Sequence, residues 1–587
     1  MTKSQCGKKA TCNICNKTYV HLGSTTTLKK HLSKSHPLAL EETQEENERV
    51  EAAKRAKSSS SASTSSQPTI IEAVSGRKPY EQDSLRKKEL DMLLAKMVAL
   101  DLQPLSVVED TGFQTFCRGM DARYVLPSRR TLSRRLLPTL FEGETDHLTA
   151  VMDDAAAICA TTDHWTSRRG QGYLTVTSHF ITSDWKLHCH VLDTPRMTGS
   201  VTGQYTGETL GNCFVKWGIM PRVYGVVADG APVMTCAIRN IDKYRGQCFA
   251  HNLNLIVQAT LISPDAGVDA ARTKVKRMVS HFKQSTKSND RLERLQKNAG
   301  IKDPLRLIQD VDTRWNSTFF MMERMVKLYP FVKAAYVEEN RPHDLLTAQE
   351  IDIIDCMITA LGPIEVATKE LSSDRYPSAS KVLPMIGNLI NSVGQHTDAF
   401  SATLLQKMEE RFEEAEDDIL WAAACLLDPR FKHFGFQKEE SLTAIKTKIV
   451  NMMDDLQTVL HPQMDMATTA LDDEPAASVS SVTWSFFDRK VQQAKRTLPV
   501  QNTPATELGR YLDMEILLRN GDPLLWWSKN AVFFPRLAPF ARQFLATPAT
   551  STSSERLFSK AGELISARRS NLKEASVNML LFLNKNL

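Results

Sequence analysis

The clearest pattern of apolar and polar positions lies between residues 150 and 230, where short apolar runs alternate with turn residues. Four runs rich in β-branched and aromatic residues predict strands: Ala155–Thr162, Tyr173–Ile181, Trp185–Leu192 and Val223–Ala228. A helix-favouring segment, Glu208–Trp217, precedes the fourth run. Strands followed by a helix and a further strand indicate an α/β layer with a mixed sheet.

The remainder of the chain is predicted to be mostly helical. Residues 80–147 have helical periodicity, and the positions of one expected helix face are Leu90, Leu93, Leu94 and Met97. Residues 231–470 and a final segment that runs to Leu587 are also helical by pattern. The acidic stretch Lys407–Asp418 is interpreted as a solvated helix face.

Two stretches of biased composition interrupt these patterns. Ser58–Gln67 contains almost only Ser, Ala and Thr, and residues 471–482 are rich in Asp, Pro, Ala and Ser. Such segments bury too little apolar surface to fold. The first is interpreted as a flexible tether between a small N-terminal module and the main body.

Composition limits the class of protein. The chain has 587 residues, a formal net charge of +5, 42% apolar residues and 24% charged residues. No apolar run reaches the roughly 18 residues of a membrane helix, and the N-terminus resembles no signal peptide, so neither membrane insertion nor secretion is expected. The eleven cysteines are scattered, with Cys12 and Cys15 the one close pair, which favours a reducing compartment over a disulfide framework.

The N-terminal module has the spacing of a zinc site. Cys12-x2-Cys15 is followed after fifteen residues by His31-x4-His36, and two thiolates with two imidazoles suit tetrahedral Zn²⁺. The alternative is an unrelated cysteine pair beside two surface histidines. A module of this size has little core, so metal binding is expected to supply about 10 to 16 kcal/mol of folding free energy.

Basic residues indicate a polyanionic partner. Residues 1–40 carry seven lysines and no acidic residue, and the predicted zinc-binding helix contains Lys29, Lys30 and Lys34. Two arginine pairs lie at a predicted helix start, namely Arg129, Arg130, Arg134 and Arg135. Basic side chains on a helix contact nucleic-acid phosphates with little dependence on base sequence, so a polyanion such as nucleic acid is the expected partner.

Two acids follow apolar strands. Asp163 comes after the first predicted strand, and Asp229 comes after the fourth. Convergent carboxylates suit a hard cation such as Mg²⁺, and two such metals activate a nucleophile for phosphodiester cleavage. The alternative is that each Asp is a turn former or a helix cap.

Several motifs resemble those of known families. Residues 10–37 resemble a BED-type zinc finger, and Pro548–Gly562 with the following Arg568-Arg569-Ser570-Asn571-Leu572 resembles the C-terminal dimerisation region of hAT-superfamily transposases. Further elements resemble that superfamily in the same order: Cys248–Leu255, Asp312–Thr318 and Leu427–Phe431. Among its members, the chain is most similar to DREF-like proteins with a BED finger.

The resemblance implies an RNase H-like catalytic core interrupted by a helical insertion, with Asp163, Asp229 and Glu555 as an acidic triad that uses Mg²⁺ or Mn²⁺. It also implies that Trp315 stacks on a flipped base with support from Arg314, and the alternative for Trp315 is a buried core aromatic. Cys248 and His251 are either a polar pair near the site or a contact at a helix start.

The resemblance and the breaks together predict a multidomain chain. The expected parts are a BED finger (1–40), a charged and Ser-rich linker (41–79), a helical DNA-binding or oligomerisation region (80–150), the first part of an RNase H-like core (151–240), a helical insertion (241–480) and a C-terminal hAT dimerisation region that completes the core (500–587).

Three functions are compatible with this organisation. The first is a nuclear DNA-binding protein that forms a homodimer or higher homo-oligomer, acting as a transcriptional regulator. Val577–Leu583 is the expected dimer contact, and its loss is expected to give monomers or insoluble protein. The second is an active cut-and-paste transposase. The third, an E3 SUMO ligase, rests on family analogy alone.

Overall fold

The computed structural model of this protein describes residues 78–167, 170–311, 314–373, 376–460, 503–564 and 572–587. In the N-terminal part it describes residues 2–3, 9–12, 14–15, 18–20, 31 and 33–35. The predicted tether at 58–67 and the predicted break at 471–482 lie outside the described residues. The chain divides into two compact units, Met1–Pro79 and Tyr80–Leu587.

The N-terminal unit contains a three-stranded antiparallel sheet. Its strands are β1 (Thr2–Lys3), β2 (Lys9–Thr11) and β3 (Thr18–Val20). The central strand β2 places Ala10 opposite both Lys3 and Tyr19. Cys12 follows β2 directly, and residue 31 and residues 33–35 are helical.

The second unit is built around a mixed sheet, which confirms the predicted α/β core. Its strands are β4 (Ile158–Thr166), β5 (Gly172–Ile181), β6 (Leu187–Asp193), β7 (Arg196–Met197), β8 (Val223–Ala228) and β9 (Tyr244–Gln247). The strand order is β6-β5-β4-β8-β9, and β7 pairs with β5. β4, β8 and β9 are parallel, whereas β5 is antiparallel to β4 and β6.

Both faces of this sheet are covered, because successive side chains of a strand point to opposite faces. Ile158 and Ala160 belong to a core that includes the helices around the N- and C-terminal ends of the unit. Cys159 and Val227 belong to a second core formed with the helical insertion. The sheet therefore lies between two helical layers.

Four helices precede the sheet: α1 (Leu85–Leu100), α2 (Thr111–Met120), α3 (Arg129–Thr131) and, after a π-helical turn over Leu132–Leu136, α4 (Leu137–Asp153). The predicted face of α1 is wrong in part, since Leu93 is exposed. The buried face instead includes Lys87 and Asp91, which form an ion pair of 2.5 Å inside the protein.

Two helices flank β8, namely α5 (Gly203–Lys216) and α6 (Pro232–Asn240). The helical insertion follows β9, and its helices are α7 (Phe249–Ile262), α8 (Asp269–Gln284), α9 (Thr286–Asn298), α10 (Trp315–Glu338), α11 (Ala348–Leu371), α12 (Val382–Gly394), α13 (Ala399–Phe412), α14 (Ile419–Leu426) and α15 (Glu439–Leu460).

The acidic stretch Lys407–Asp418 is not a single solvated helix face. α13 ends at Phe412, and Asp418 caps α14 by accepting hydrogen bonds from the backbone N–H groups of Leu420 and Trp421. Glu416 accepts hydrogen bonds from the backbone of residues 437 and 438. Several of these acids therefore satisfy helix termini.

The C-terminal helices are α16 (Pro504–Asp513), α17 (Pro523–Asn530), α18 (Ala538–Leu545), α19 (Thr552–Leu564) and α20 (Glu574–Asn586). α20 lies in the core of its own chain, where it packs against α1, α4 and β6. Val577, Leu580, Leu581, Phe582 and Leu583 are all buried there. The expected dimer contact through Val577–Leu583 is therefore wrong, because these side chains are already covered within the chain.

Among the described residues, no helix is both long enough and apolar enough to span a bilayer.

Candidate functional site

Asp163 and Asp229 lie at the same level of neighbouring parallel strands. Thr161 of β4 pairs with Val227 of β8, so two residues further along Asp163 is level with Asp229. Asp163 is not at the end of its strand as expected, because β4 continues to Thr166 in its pairing with β5. Asp229 directly follows β8, and its carboxylate accepts a hydrogen bond from the backbone N–H of Ala231.

Glu555, which lies near the C-terminal end of the sequence, is close enough to Asp163 to interact with it electrostatically. It lies in the first turn of α19, where the helix dipole favours a negative charge. The hydroxyls of Ser554 and Thr161 are hydrogen-bonded at 2.9 Å, which holds the start of α19 against β4. Thr161 and Ser554 are contacts that the sequence analysis does not identify, although the hydroxyl-rich run before Glu555 is visible in the sequence.

The three carboxylates interact electrostatically. Burial, together with the charges of Glu555 and Asp229, raises the pKa of Asp163 from 3.8 to about 8. Burial also raises the pKa of Glu555, although Arg314 and His251 act in the opposite direction. The acids therefore form one coupled group in which a proton or a cation relieves the repulsion.

The donor chemistry of this group fits a divalent cation that prefers oxygen ligands. The carboxylate oxygens are nevertheless farther apart than the ligand atoms of the cysteine and histidine cluster in the finger. Within the described ranges, no three carboxylates have oxygens that all lie within 4.8 Å of one another. The site brings Asp163, Asp229 and Glu555 together without closing them into a compact ligand cluster.

A cavity of about 690 Å³ adjoins Glu555. Its lining residues include His251, Asn254, Arg314, Trp315 and Arg556. Basic side chains next to an acid suit a phosphate group that approaches a bound cation. The Asn254 side chain accepts a hydrogen bond from the backbone N–H of Trp315 and so positions the start of α10, a role that the sequence analysis does not identify.

Trp315 is only 1% exposed and packs near Phe319, with ring centroids 6.3 Å apart. This corresponds to the core-aromatic alternative. Stacking on a flipped base requires the ring to leave this position, and that role stays a prediction. Arg314 lies at the cavity, while Asp312 and Thr313 of the same motif lie outside the described residues.

Cys248 and His251 have different surroundings. The Cys248 sulfur is buried and accepts a hydrogen bond of 3.3 Å from the backbone N–H of Ser551, and burial raises the pKa of its thiol to about 11. His251 lines the cavity beside Glu555. Cys248 therefore fixes the segment that leads to Glu555, whereas His251 faces the site.

The N-terminal unit brings three predicted zinc ligands together. The ligand atoms of Cys12, Cys15 and His31 all lie within 4.8 Å of one another, and the Cys15 sulfur is 3.4 Å from Nε2 of His31. Hydrogen bonds from the backbone of Cys15 and Ile14 lower the pKa of the Cys12 thiol to about 6, which favours the thiolate that binds metal. These residues fit Zn²⁺, and the fourth predicted ligand, His36, lies outside the described residues.

The predicted DNA-binding residues that the structure describes are on the surface, except Trp315, which is buried. Arg129, Arg130, Arg134 and Arg135 are exposed, and the buried Leu132 and Leu136 hold this segment on the body. Lys34 is also exposed. Lys29 and Lys30 lie outside the described residues.

The raised pKa of Asp163 has a consequence for stability. Above about pH 4 an unfolded chain releases this proton, whereas the folded chain keeps it up to about pH 8, so the contribution of Asp163 to stability falls as the pH rises through this range. Without added divalent cation, Asp163→Asn should melt at a higher temperature than wild type, with a gap that widens toward pH 8. Thermal melts at several pH values measure this gap, and a constant gap would contradict the raised pKa.

Four protein family profiles match the chain and confirm the resemblance drawn from its motifs. They describe the BED zinc finger (residues 2–37), the ZBED1 RNase-like domain (161–251), the ZBED1 RNase-like helical domain (246–360) and the hAT family C-terminal dimerisation region (507–587). The acids Asp163 and Asp229 fall in the second match, and Glu555 falls in the fourth.

The similar proteins include BED zinc finger proteins and a transposase. Zinc finger BED domain-containing protein 4 of Homo sapiens is 26% identical over 87% of this chain and 44% of its own length. A Zea mays protein named as an AC transposase is 24% identical over 86% of this chain and 65% of its own length. Zinc finger BED domain-containing protein DAYSLEEPER of Arabidopsis thaliana is 22% identical over 98% of this chain. The chain thus spans less than two thirds of the length of the first two relatives.

Proposed function

We propose that this chain, a BED zinc finger protein with the RNase-like and dimerisation regions of the hAT transposase family, is a nuclear protein that binds double-stranded DNA and acts as a dimer. The observation that carries the proposal is the convergence of Cys12, Cys15 and His31 in a module with seven lysines and no acidic residue in residues 1–40. Regulation of transcription is one use of such binding.

DNA binding has support from a second surface. The four arginines of residues 129–135 project from one short helical segment, where each can reach a phosphate. Contacts of this kind position a protein on the duplex, and their number sets how steeply affinity falls with salt. The body therefore adds to the affinity of the finger.

We expect loss of zinc to remove the contribution of the finger to DNA binding while the body stays folded. Cys12→Ala removes one ligand, and a finger with little core does not fold without its metal. A DNA-binding titration should show a large loss of affinity, with the melting temperature of the body unchanged, because the finger does not fold without its metal. The matched control is Cys117→Ala, which alters a cysteine outside the finger. Retained binding in Cys12→Ala would contradict the proposal.

A second candidate function is metal-dependent cleavage and joining of DNA. It is favoured by the electrostatic coupling of Asp163 to Glu555 and Asp229. When bound, divalent cations activate a water or a 3′-hydroxyl and stabilise the leaving oxygen. Asp163 and Asp229 would hold the cation, and Arg314 and Arg556 would orient the DNA phosphate in the adjoining cavity.

Genomic context offers an independent test of this candidate. Inverted terminal repeats with short flanking duplications around the coding sequence would indicate a mobile element. Their absence would favour the regulatory role. The SUMO ligase role rests on the resemblance alone, and no residue in the described ranges adds to it.

A further inference from the structure

A series of hydrogen bonds crosses the sheet and ends beside Glu555. Nε2 of His179 lies 3.0 Å from the hydroxyl oxygen of Thr177 on the same strand, β5. The Thr177 hydroxyl is hydrogen-bonded to that of Thr161 on β4, which is bonded in turn to that of Ser554 at 2.9 Å. None of these four residues, which we call the polar chain, is more than 3% exposed.

The polar chain lies next to two of the acids. Thr161 pairs with Thr177 across β4 and β5, and Asp163 follows Thr161 by two residues, so the Asp163 side chain points to the same face of β4. Ser554 directly precedes Glu555 in the first turn of α19. Glu555 lines the cavity, whereas Ser554 is fully buried. A shift of Ser554 therefore moves the backbone that carries the Glu555 carboxylate.

Neighbouring hydroxyls of the same strands are not connected in this way. Thr162 on β4 and Thr175 and Ser178 on β5 are fully buried, and in the part of the chain that the structure describes their hydroxyls have no hydrogen-bond partner. They share the strands and the burial of the polar chain but not its hydrogen bonds. Substitutions at these positions therefore distinguish the effect of the bonds from the effect of a buried hydroxyl.

The direction of the hydrogen bonds depends on His179. A hydroxyl has one hydrogen and donates one hydrogen bond. When Nε2 of His179 accepts, the hydrogen of Thr177 is used for this bond, so Thr161 must donate to Thr177. Ser554 must then donate to Thr161 for the same reason. One ring nitrogen thereby orients three hydroxyls, the last of which belongs to the residue before Glu555.

We propose that His179 is a positioning residue for the cation site of Asp163, Asp229 and Glu555, and that it acts through the polar chain. The proposal rests on the second candidate function, in which these acids hold a divalent cation. Groups behind the ligands of a metal fix the orientation of those ligands, and their loss typically lowers metal affinity about 10- to 100-fold. His179 acts here over three hydrogen bonds.

The test is the Mn²⁺ affinity of the zinc-loaded full-length chain, measured by titration calorimetry, in wild type and Thr177→Val. Valine keeps the shape of threonine and removes the hydroxyl that joins His179 to Thr161, so the affinity should fall on the order of 10-fold. Thr177→Ser keeps a hydroxyl and should retain the wild-type affinity. Thr162→Val, the matched control on β4, removes a buried hydroxyl outside the polar chain and should retain it too.

Combined variants test whether the polar chain acts as a unit. His179→Leu should lower the Mn²⁺ affinity by about the same factor as Thr177→Val, and the two together should lower it no further, because each interrupts the same series of bonds. Asp163→Asn should remove the binding and so assigns it to the acids. Thermal melts of every variant verify that the body is folded.

The contrary outcomes are distinct. A Thr177→Val protein that melts at a lower temperature but binds Mn²⁺ like wild type would overturn the proposal, because the polar chain would then only stabilise the fold. Additive losses in the combined variant, or an equal loss in Thr162→Val, would overturn it as well. Wild-type protein that binds no Mn²⁺ at the acids would overturn both the cation site and the role of His179. Wild-type protein that binds Mn²⁺ and cuts no DNA would end the cleavage function, while the affinities would still decide the role of His179.

Discussion

Asp163→Asn and Glu555→Gln are each expected to abolish DNA end cleavage while leaving DNA binding nearly unchanged. Each substitution keeps the size of the side chain and removes one negative charge from the group formed by Asp163, Asp229 and Glu555. Loss of a carboxylate would weaken the binding of a divalent cation, which would supply activation of the nucleophile and stabilisation of the leaving group. A loss of several kcal/mol in the transition state corresponds to a rate reduction on the order of 1,000-fold or more.

The measurement is cleavage of a labelled element end in Mg²⁺ or Mn²⁺, with a binding titration on the same DNA. Asp146→Asn is the matched control, since it removes an exposed carboxylate of α4 away from the three acids. Wild-type protein that never cuts cognate ends would contradict the catalytic candidate. Cleavage that survives both substitutions would place the chemistry elsewhere.

Removal of α20 is expected to prevent the body from folding. Its five buried apolar residues each contribute about 1.5 to 3 kcal/mol, and a sum near 10 kcal/mol is comparable to the whole stability of a typical domain. The Phe582 ring contacts Phe141 at 4.8 Å and Trp217 at 5.9 Å. In addition, the Asn584 amide donates hydrogen bonds to the carbonyls of Ala99 and Leu100 at the end of α1.

A chain that ends at residue 573 should therefore be insoluble or lack a cooperative melt. Leu581→Asp should have nearly the same effect, because it buries an unpaired charge. Ala575→Asp is the control on the same helix: residue 575 is exposed and lies in the first turn, where a negative charge is favourable. A soluble, folded, monomeric truncation would restore the expectation that α20 is the dimer contact.

The strands of the core could be predicted where their apolar residues follow a pattern. Val223–Ala228 is a continuous apolar run, and the prediction and the structure give it the same bounds. β9 has the polar sequence Tyr-Arg-Gly-Gln, and β7 has two residues, so neither has a periodic signal. They are strands because β8 and β5 offer them backbone partners, which is a tertiary effect.

The burial of α20 shows a different limit. Periodicity indicates that Val577–Leu583 is covered, but it does not indicate whether the cover comes from the same chain or from another. Lys87 and Asp91 show the converse limit. Charged residues are normally predicted to be exposed, yet these two are buried as an ion pair. In both cases the deciding information is which elements meet in space.

The acids of the candidate site could be predicted from the sequence, but the residues that hold them in place could not. Asp163 and Asp229 carry a strand-end signal, and Glu555 required the family resemblance because nothing local links it to the sheet. Thr161, Ser554 and Cys248 connect these parts through hydrogen bonds between distant segments. Such contacts have no periodicity, so a single sequence does not indicate them.

The hydrogen bond between Thr161 and Ser554 has a consequence for biosynthesis, since it joins residues 393 positions apart. A ribosome adding about 5 to 20 residues per second needs about 20 to 80 s to pass from one to the other. A premature stop codon after Asp229 and before Ser554 leaves a polypeptide with the finger and two of the acids but without the third. Translation must therefore run nearly to its end before any cutting centre can assemble.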